Sequence, residues 1–262
     1  MDHQLLKQLD EGGTQLRLDI VGCAGSYPAP GSACSSYLVR SGQTSILFDA
    51  GNGSLTNLYP VIDPAGLDAI IISHGHVDHF ADVVGMYHYL KYANPPRHPI
   101  PVFSTGDALK TLARLITPRG IDPGVFSINT VNPGDHIAVG SLNLQFFRAS
   151  HPVPTLVTRV SDGSSSLCYG ADGDYSEGLA AASDHVDLLL GESTWVERDQ
   201  SFPKGLHLDA KSLATFAKSA GVKTLAITHI AYPGDKGKIL RIVRENFTGV
   251  SQLAEIGTTF QI

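Results

Sequence analysis

The stretch "AIIISHGHVDHFAD", residues 69–82, decides how this chain is read. An apolar run leads into Ser73-His74-Gly75-His76-Val77-Asp78-His79, and a helix-period segment follows. Three of the chain's eleven histidines and one aspartate are crowded there. His74 and His76 are two apart. On a helix that spacing separates them, because helical neighbours are three or four apart. On an extended segment a period of two points both the same way. The pair therefore predicts a pincer at the end of a buried strand, with Asp78 and His79 supplied by the turn into the next helix. Imidazole nitrogen and carboxylate oxygen are ligands that divalent zinc, manganese and iron accept. Four such groups exceed what one ion takes from one short loop. Two ions are expected, one on His74 and His76, the other on Asp78 and His79.

Each ion needs ligands from elsewhere. His151 lies in "RASHPVPT", Asp172 in "CYGADGDYS" and His229 in "LAITHIAY", each directly after an apolar strand-like run. Side chains at the ends of several strands converge on one sheet edge. A carboxylate between two ions can bridge them; Asp172 is the candidate, preferred over Asp174 two residues on. Ions about 3.5–4 Å apart polarise a shared water near neutral pH.

The rest of the sequence is that of an ordinary globular protein. Of 262 residues, 42% are hydrophobic and 17% charged, enough for one large core over residues 1–262 with no stretch that reads as a linker. The net charge of −6 disfavours a protein whose main partner is a polyanion. Cys23, Cys34 and Cys168 are scattered, without a CxxC pair, so neither a disulfide framework nor a thiolate zinc site is expected. The polar N-terminus has no apolar signal core, and no run of about 18 apolar residues occurs, which points to a cytoplasmic protein without a membrane span. "VGCAGSYPAPGSACSS" lacks both GxGxxG and a P-loop lysine, and reads as a glycine-rich turn.

Strands are expected at Leu16–Val21, Ser35–Val39, Ser45–Asp49, Ala69–Ser73, Pro101–Ser104, Leu142–Ala149, Thr155–Val160, Ser166–Gly170, Val186–Leu190 and Leu225–Thr228. Helices are expected at Phe80–Tyr92, Asp107–Leu115, Asp209–Ser219 and Lys238–Asn246. The first half reads as strand-rich with few helices, the later part as more regularly alternating. In "DAGNGS", Gly51 and Gly53 are expected to supply positive φ.

"SHGHVDH" resembles the HxHxDH signature of the metallo-β-lactamase superfamily, and His151, Asp172, His229 and Asp49 of "ILFDAG" fall in that superfamily's order. The resemblance covers almost the whole chain. It implies an α/β fold, a four-layer αββα sandwich, with a dinuclear site along one edge. It assigns His74, His76 and His151 to one ion, Asp78, His79 and His229 to the other, and Asp172 to both, with zinc the leading metal and manganese or iron alternatives. Asp49 would stand behind the ligands and orient one of them.

"LLLGESTW" with Glu192, and "LHLDAKSLATFAKSAGVKTLAITHI" with His207 and His229, look like the tRNase Z and small-phosphodiesterase branch. That similarity implies that His207, paired with Glu192, assists departure of the ester oxygen, and it gives Asp78, His207 and Glu192 catalytic roles. The branch usually has Thr where Ser73 stands, and "YSGDT" where this chain has "YGADG". tRNase Z enzymes that grip tRNA carry a long arm between the positions of His151 and Asp172; here the interval is short. The arm-less pattern is similar to actinobacterial proteins assigned as cyclic-nucleotide phosphodiesterases. The resemblance thus implies a small phosphodiester substrate, with hydrolysis of a lactone or thioester, or cutting at the tRNA 3′ end, as alternatives, and a possible homodimer.

Elsewhere, His3, His98, His136 and His185 receive no role, His88 is assigned to the surface and Asp187 to structure. Trp195 is either core or a pocket wall beside Glu192. Lys91, Arg97, Arg119 and Lys204 are the cations considered for the cleft rim, and the proline loop 93–101 a rigid lip on the substrate side.

Overall fold

The computed structural model describes residues 15–117, 120–199 and 201–262. His3 and Arg119 lie outside them. The chain runs β1 (Arg17–Gly22), β2 (Ala24–Gly25), β3 (Ser36–Ser41), β4 (Thr44–Phe48), α1 (Ser54–Leu58), β5 (Ala69–Ile71), α2 (Val77–Tyr92), β6 (Ile100–Ser104), α3 (Gly106–Ile116) and β7 (Phe126–Thr130). It continues β8 (His136–Val139), β9 (Leu142–Arg148), β10 (Leu156–Ser161), β11 (Ser166–Tyr169), α4 (Glu177–Ser183), β12 (Leu188–Glu192), α5 (Ala210–Ser219), β13 (Thr224–Thr228), β14 (Ile230–Ala231), α6 (Lys236–Asn246), β15 (Val250–Leu253) and β16 (Thr259–Gln261).

Two seven-stranded sheets result, in the orders β16-β1-β3-β4-β5-β6-β7 and β15-β13-β12-β11-β10-β9-β8. Each is antiparallel in one half and parallel in the other. In the first, β1, β3 and β4 pair antiparallel and β4 to β7 parallel. In the second, β8 to β11 pair antiparallel and β11, β12, β13 and β15 parallel. A parallel pair needs a crossover, and helices fill that role in both halves. The two halves therefore share one plan, where the sequence suggested a helix-poor first half; α1, the first-half helix not anticipated, is too short to show a clear apolar stripe.

Alternation along the strands builds the layers. Ile46 and Phe48 of β4, Leu167 and Tyr169 of β11, and Leu188 and Leu190 of β12 face the core between the sheets. Leu47 of β4 faces α2 and α3 instead, and Cys168, Leu189 and Leu225 face α4, α5 and α6. Both faces of these strands are buried, hence their continuous apolar runs. The result is the expected four-layer αββα sandwich.

All ten expected strands and four expected helices are present within a few residues. The short edge pieces β2, β7, β8 and β14 to β16 were not anticipated. β14 pairs with β2, Ile230 opposite Ala24; this ribbon ties the loop after β1 to the residue following His229. At Gly25 a Cβ would stand 2.5 Å from the His229 carbonyl oxygen, so only glycine permits that approach.

Candidate metal centre

The ligand loop folds as its spacing implied. β5 ends at Ile71, the chain bends at Gly75, and His76, extended (φ −81°, ψ 143°), is the N-cap of α2. Asp78 lies in the first turn of α2, where the helix dipole favours a carboxylate. Gly51 sits beneath: a Cβ there would lie 1.9 Å from the Asp78 carbonyl oxygen. Gly51 thus serves a close approach and not the positive φ expected of it. Gly53 does have positive φ (84°), but in this turn the other left-handed residue is Asp49 (φ 56°). Ala171 (52°) and His229 (53°) share that conformation. Such backbone costs of order 1 kcal/mol or more per non-glycine residue, and these three adjoin or belong to the site.

The structure brings the seven expected ligands together in two groups, His74, His76, His151 and Asp172, and Asp78, His79, Asp172 and His229. In the first, His74 Nε2 is 3.0 Å and His151 Nε2 3.2 Å from His76 Nδ1, and His74 Nε2 is 3.8 Å from Asp172 Oδ2. In the second, His79 Nε2 and His229 Nε2 are 3.4 Å apart and stand 3.5 and 3.2 Å from Asp78 Oδ2. Asp172 Oδ1 is 3.3 Å from His79 Nε2 and Oδ2 is 3.3 Å from His229 Nε2. A tetrahedron of metal–nitrogen bonds of about 2.0–2.1 Å has edges of about 3.3–3.4 Å. Both donor sets fit a divalent ion by that measure. Asp172 Oδ1 is buried without a hydrogen-bond donor, which suits a lone pair kept for a cation.

The far nitrogens of the imidazoles are held. Asp49, fully buried, accepts from Ser73 N (2.7 Å), Ser73 Oγ (2.8 Å), His79 Nδ1 (2.7 Å) and Tyr169 Oη (2.5 Å). His74 Nδ1 is 3.0 Å from Ser73 Oγ, His151 Nδ1 donates to Leu206 O at 3.0 Å, and His229 Nδ1 is 2.9 Å from Thr194 Oγ1. Thr194 Oγ1 donates in turn to Glu192 Oε2 at 2.6 Å. Such partners fix the tautomer and leave the other nitrogen's lone pair on the site. Asp49 plays the role the resemblance gave it; Tyr169, Thr194 and the Ser26 N–H, 2.9 Å from Asp78 Oδ2, were not anticipated. No local motif marks them, because each acts through a partner more than 30 residues away.

The two groups differ electrically. Burial holds His74, His76 and His151 below the usual histidine range. Burial also opposes charge on His79 and His229, but Asp172, with Asp49 for the first and Asp78 for the second, outweighs it and raises both. Burial works against Asp78 and Asp172 as anions too, yet His229 and His79 hold both well below the usual carboxylate range. The surroundings thus favour neutral imidazoles in the first group and protonated imidazoles beside carboxylates in the second.

Beside both groups, His207 Nδ1 is 2.8 Å from Glu192 Oε1, and its ring lies 5.6 Å from that of His151 and 5.5 Å from that of His229. Glu192, His207 and His229 form a third close set. Trp195 packs edge-on to His207 at 5.5 Å and stacks on Phe202 at 4.5 Å, so it is a wall. Asp174 is engaged by Arg198 at 2.7 Å, away from the ligands. Cys168 is buried and bonded to Ser183, its thiol pushed up to about 12 by burial.

The suggested rim fares differently. β6 runs parallel to β5, so the proline loop that precedes β6 lies at the opposite end of the sheet from the metal loop. Lys91, 13 residues beyond Asp78 on α2, is about 20 Å along that helix and bonds Tyr87 and Asp122. Arg97 follows it in the same remote loop. Strand direction, invisible in a local pattern, decides this. His88 and His185 are exposed, and Asp187 is structural, bonding Ser166 and Lys223.

A sandwich of this topology with a ligand set of this composition defines a metal-dependent hydrolase. Residues 44–230 match the family model of the β-lactamase superfamily domain, and the chain belongs to that superfamily. The probable metallo-hydrolase YhfI of Bacillus subtilis is 27% identical over 250 residues, covering 94% of this chain and all of that protein. Its crystal structure superposes with a TM-score of 0.85 at 26% identity over 95% of this chain and 100% of that one. Ribonuclease Z of Salinispora arenicola is 25% identical over 292 residues, covering 91% of this chain and 93% of the relative. The short form of human tRNase Z shares the fold, with a TM-score of 0.77 at 20% identity over 93% of this chain and 98% of that one.

Proposed function

We propose that the protein is a dinuclear phosphodiesterase acting on a small phosphodiester, cyclic nucleotides included. His74, His76, His151 and Asp172 hold one ion, and Asp78, His79, His229 and Asp172 the other; zinc accepts both the three-imidazole and the two-imidazole set. A pair of divalent ions there supplies charge neutralisation for the phosphate and an activated water. The chain's own residues supply the rest. Ser26 N–H, with Asp78 Oδ2 as acceptor, fixes the carboxylate that we place both as ligand and in catalysis. Asp49 and Thr194 keep His79 and His229 in the ligating tautomer.

The observation that carries the reading is the His207–Glu192 pair at 2.8 Å. Glu192 Oε1 fixes the Nδ1–H, so Nε2 is the atom that gives a proton to the departing alkoxide. An acyl bond of a lactone depends less on that proton, because its leaving group stays tethered. Among larger phosphodiesters, tRNA is disfavoured: the ribonuclease Z alignment extends over 292 positions against 262 residues here. That relative therefore carries segments this chain lacks. Among the described residues no helix is long and apolar enough to cross a membrane.

The test is hydrolysis of bis(p-nitrophenyl) phosphate and of 2′,3′- and 3′,5′-cyclic nucleotides by metal-loaded protein, with and without chelator, beside a lactone and a precursor tRNA. Metal-dependent turnover of at least one phosphodiester is expected. His207→Ala should lower its kcat by about 10²–10⁴-fold while slowing lactone cleavage far less. Turnover confined to the lactone would sink the reading, as would clean cutting of precursor tRNA.

A further inference from the structure

A cleft of about 460 Å³ opens directly beside His151, between the start of α3 and the 151–156 loop. It lies within the range of about 300–1,000 Å³ usual for small-molecule sites. The metal loop packs against the helix that borders the cleft: Gly75 lies in van der Waals range of Ala108 in α3. Because His151 is shared between this cleft and the first ligand group, one ligand can reach both the ions and the cleft. We infer that this cleft is the subsite for the heterocyclic base of a nucleotide substrate, an assignment that rests on the phosphodiesterase reading above.

Three properties of the walls support a flat, neutral, hydrogen-bonding occupant. The first is charge balance. Arg148 and Asp107 are the charged residues among the lining side chains, one of each sign. The lining therefore carries no net formal charge. The second is stiffness. Pro133, Pro152 and Pro154 line the cleft, so much of its wall has fixed φ and loses little entropy on binding.

The third is the presentation of Arg148 and Asn132. Leu142, Leu144 and Phe146 of β9 face the core between the sheets. Arg148 continues that inward-facing set to the strand's end, where the core gives way to the cleft. No side-chain hydrogen bond or ion pair to its guanidinium occurs among the described residues, and Asp107 is instead 3.5 Å from Lys110. A free guanidinium plane stacks on base rings. Asn132 binds Asp135 through its main chain. Its amide, able to donate and accept at once, suits the edge of a purine or an amino-pyrimidine.

Calorimetric titration of the zinc-loaded protein with AMP, GMP, CMP and UMP, each against ribose 5-phosphate, tests this without calling on turnover. The ligands share a phosphorylated ribose and differ in the base. At least one nucleotide should bind about tenfold more tightly than ribose 5-phosphate, as one stacked base implies. Arg148→Ala and Asn132→Ala, with zinc content and Tm checked, should each shrink that ratio at least threefold. Equal affinities in the wild type, or a ratio unchanged in both variants, would overturn the base subsite and leave the phosphodiesterase reading standing. No binding of any phosphate at millimolar concentration would remove both.

Discussion

The two ligand groups of this site sit side by side and share Asp172, yet they are built on opposite principles. Burial favours the neutral forms of His74, His76 and His151. Each keeps its far nitrogen on a neutral partner where one is found, a serine oxygen for His74 and a peptide carbonyl for His151. His79 and His229 are instead surrounded by Asp49, Asp78 and Asp172, which favour their charged forms. Binding a cation at the first group should therefore displace fewer protons than binding one at the second, where buried carboxylates favour protonated imidazoles. The lesson is that a symmetric-looking signature encodes an ion site ready to fill and another that stores its own counterions until one arrives.

Removing the shared carboxylate should have the largest effect. Asp172→Ala takes an anion from both groups, leaves His79 and His229 without their main counter-charge, and should lower kcat/KM by more than about 10³-fold. Metal analysis should show both equivalents weakened. Retention of one tightly bound equivalent would mean that the groups do not share Asp172.

Asp49→Asn should come next and act mainly on one side. Asp49 bonds the second group directly through His79 Nδ1 and reaches His74 of the first only through Ser73 Oγ, so its loss should weaken one metal equivalent by about 10–100-fold and the other less. Equal loss at both sites would erase the distinction drawn above. Asp49 also gathers Tyr169 and Ser73, so a fall in Tm should accompany it.

Proton linkage offers a third way to break the comparison, read on metal-free protein. The first group's histidines have folded pKa values lowered below the unfolded value of about 6.5. The unfolded state then binds more protons, and stability is lost as pH falls below about 6.5. His79 and His229 are raised; their contribution is fully present below about 6.5 and is lost as pH climbs through the higher folded value. Asp78, lowered, contributes above about 3.9 and loses that on acidification. Asp78→Asn should therefore cost most Tm at pH 5.5 and less at pH 8, where its histidine partners are losing their charge. His151→Asn should show the reverse trend, its cost smallest at pH 5.5. Differences of about 2–4 °C are the expected scale; parallel trends for the two variants would refute the contrast.

What was legible in the sequence follows from how each part is encoded. The ligands could be found because chain geometry alone sets them. His74 and His76 share a face through the period of an extended segment, and His151, Asp172 and His229 each close an apolar run. The sandwich was legible because its strands are buried on both faces. β7, β8, β15 and β16 were not, since their half-exposed residues carry no continuous apolar signal. The error over the proline loop has a different origin. Prolines announce a loop, but which end of a sheet it occupies depends on the relative direction of β5 and β6, which only the assembled fold contains. Arg148 escaped notice for a related reason: its inward face becomes a cleft wall only because β9 outlasts the core.

The smallest expected effect tests the least visible of these links. Thr194 Oγ1 stands between His229 Nδ1 at 2.9 Å and Glu192 Oε2 at 2.6 Å, so it joins the second ligand group to the proposed proton donor. Thr194→Val keeps the shape and deletes both hydrogen bonds. Each is worth about 1 kcal/mol net, so kcat should fall about five- to twentyfold. Glu192 keeps its bonds to His207 and to Gly173 N, and His229 keeps Asp78. Zinc stoichiometry should be unchanged. If Thr194 merely fills space, valine serves as well and kcat does not move. If it couples the two devices, the loss should grow with the pKa of the leaving alcohol, because a poorly held Glu192 costs most where His207 must give its proton.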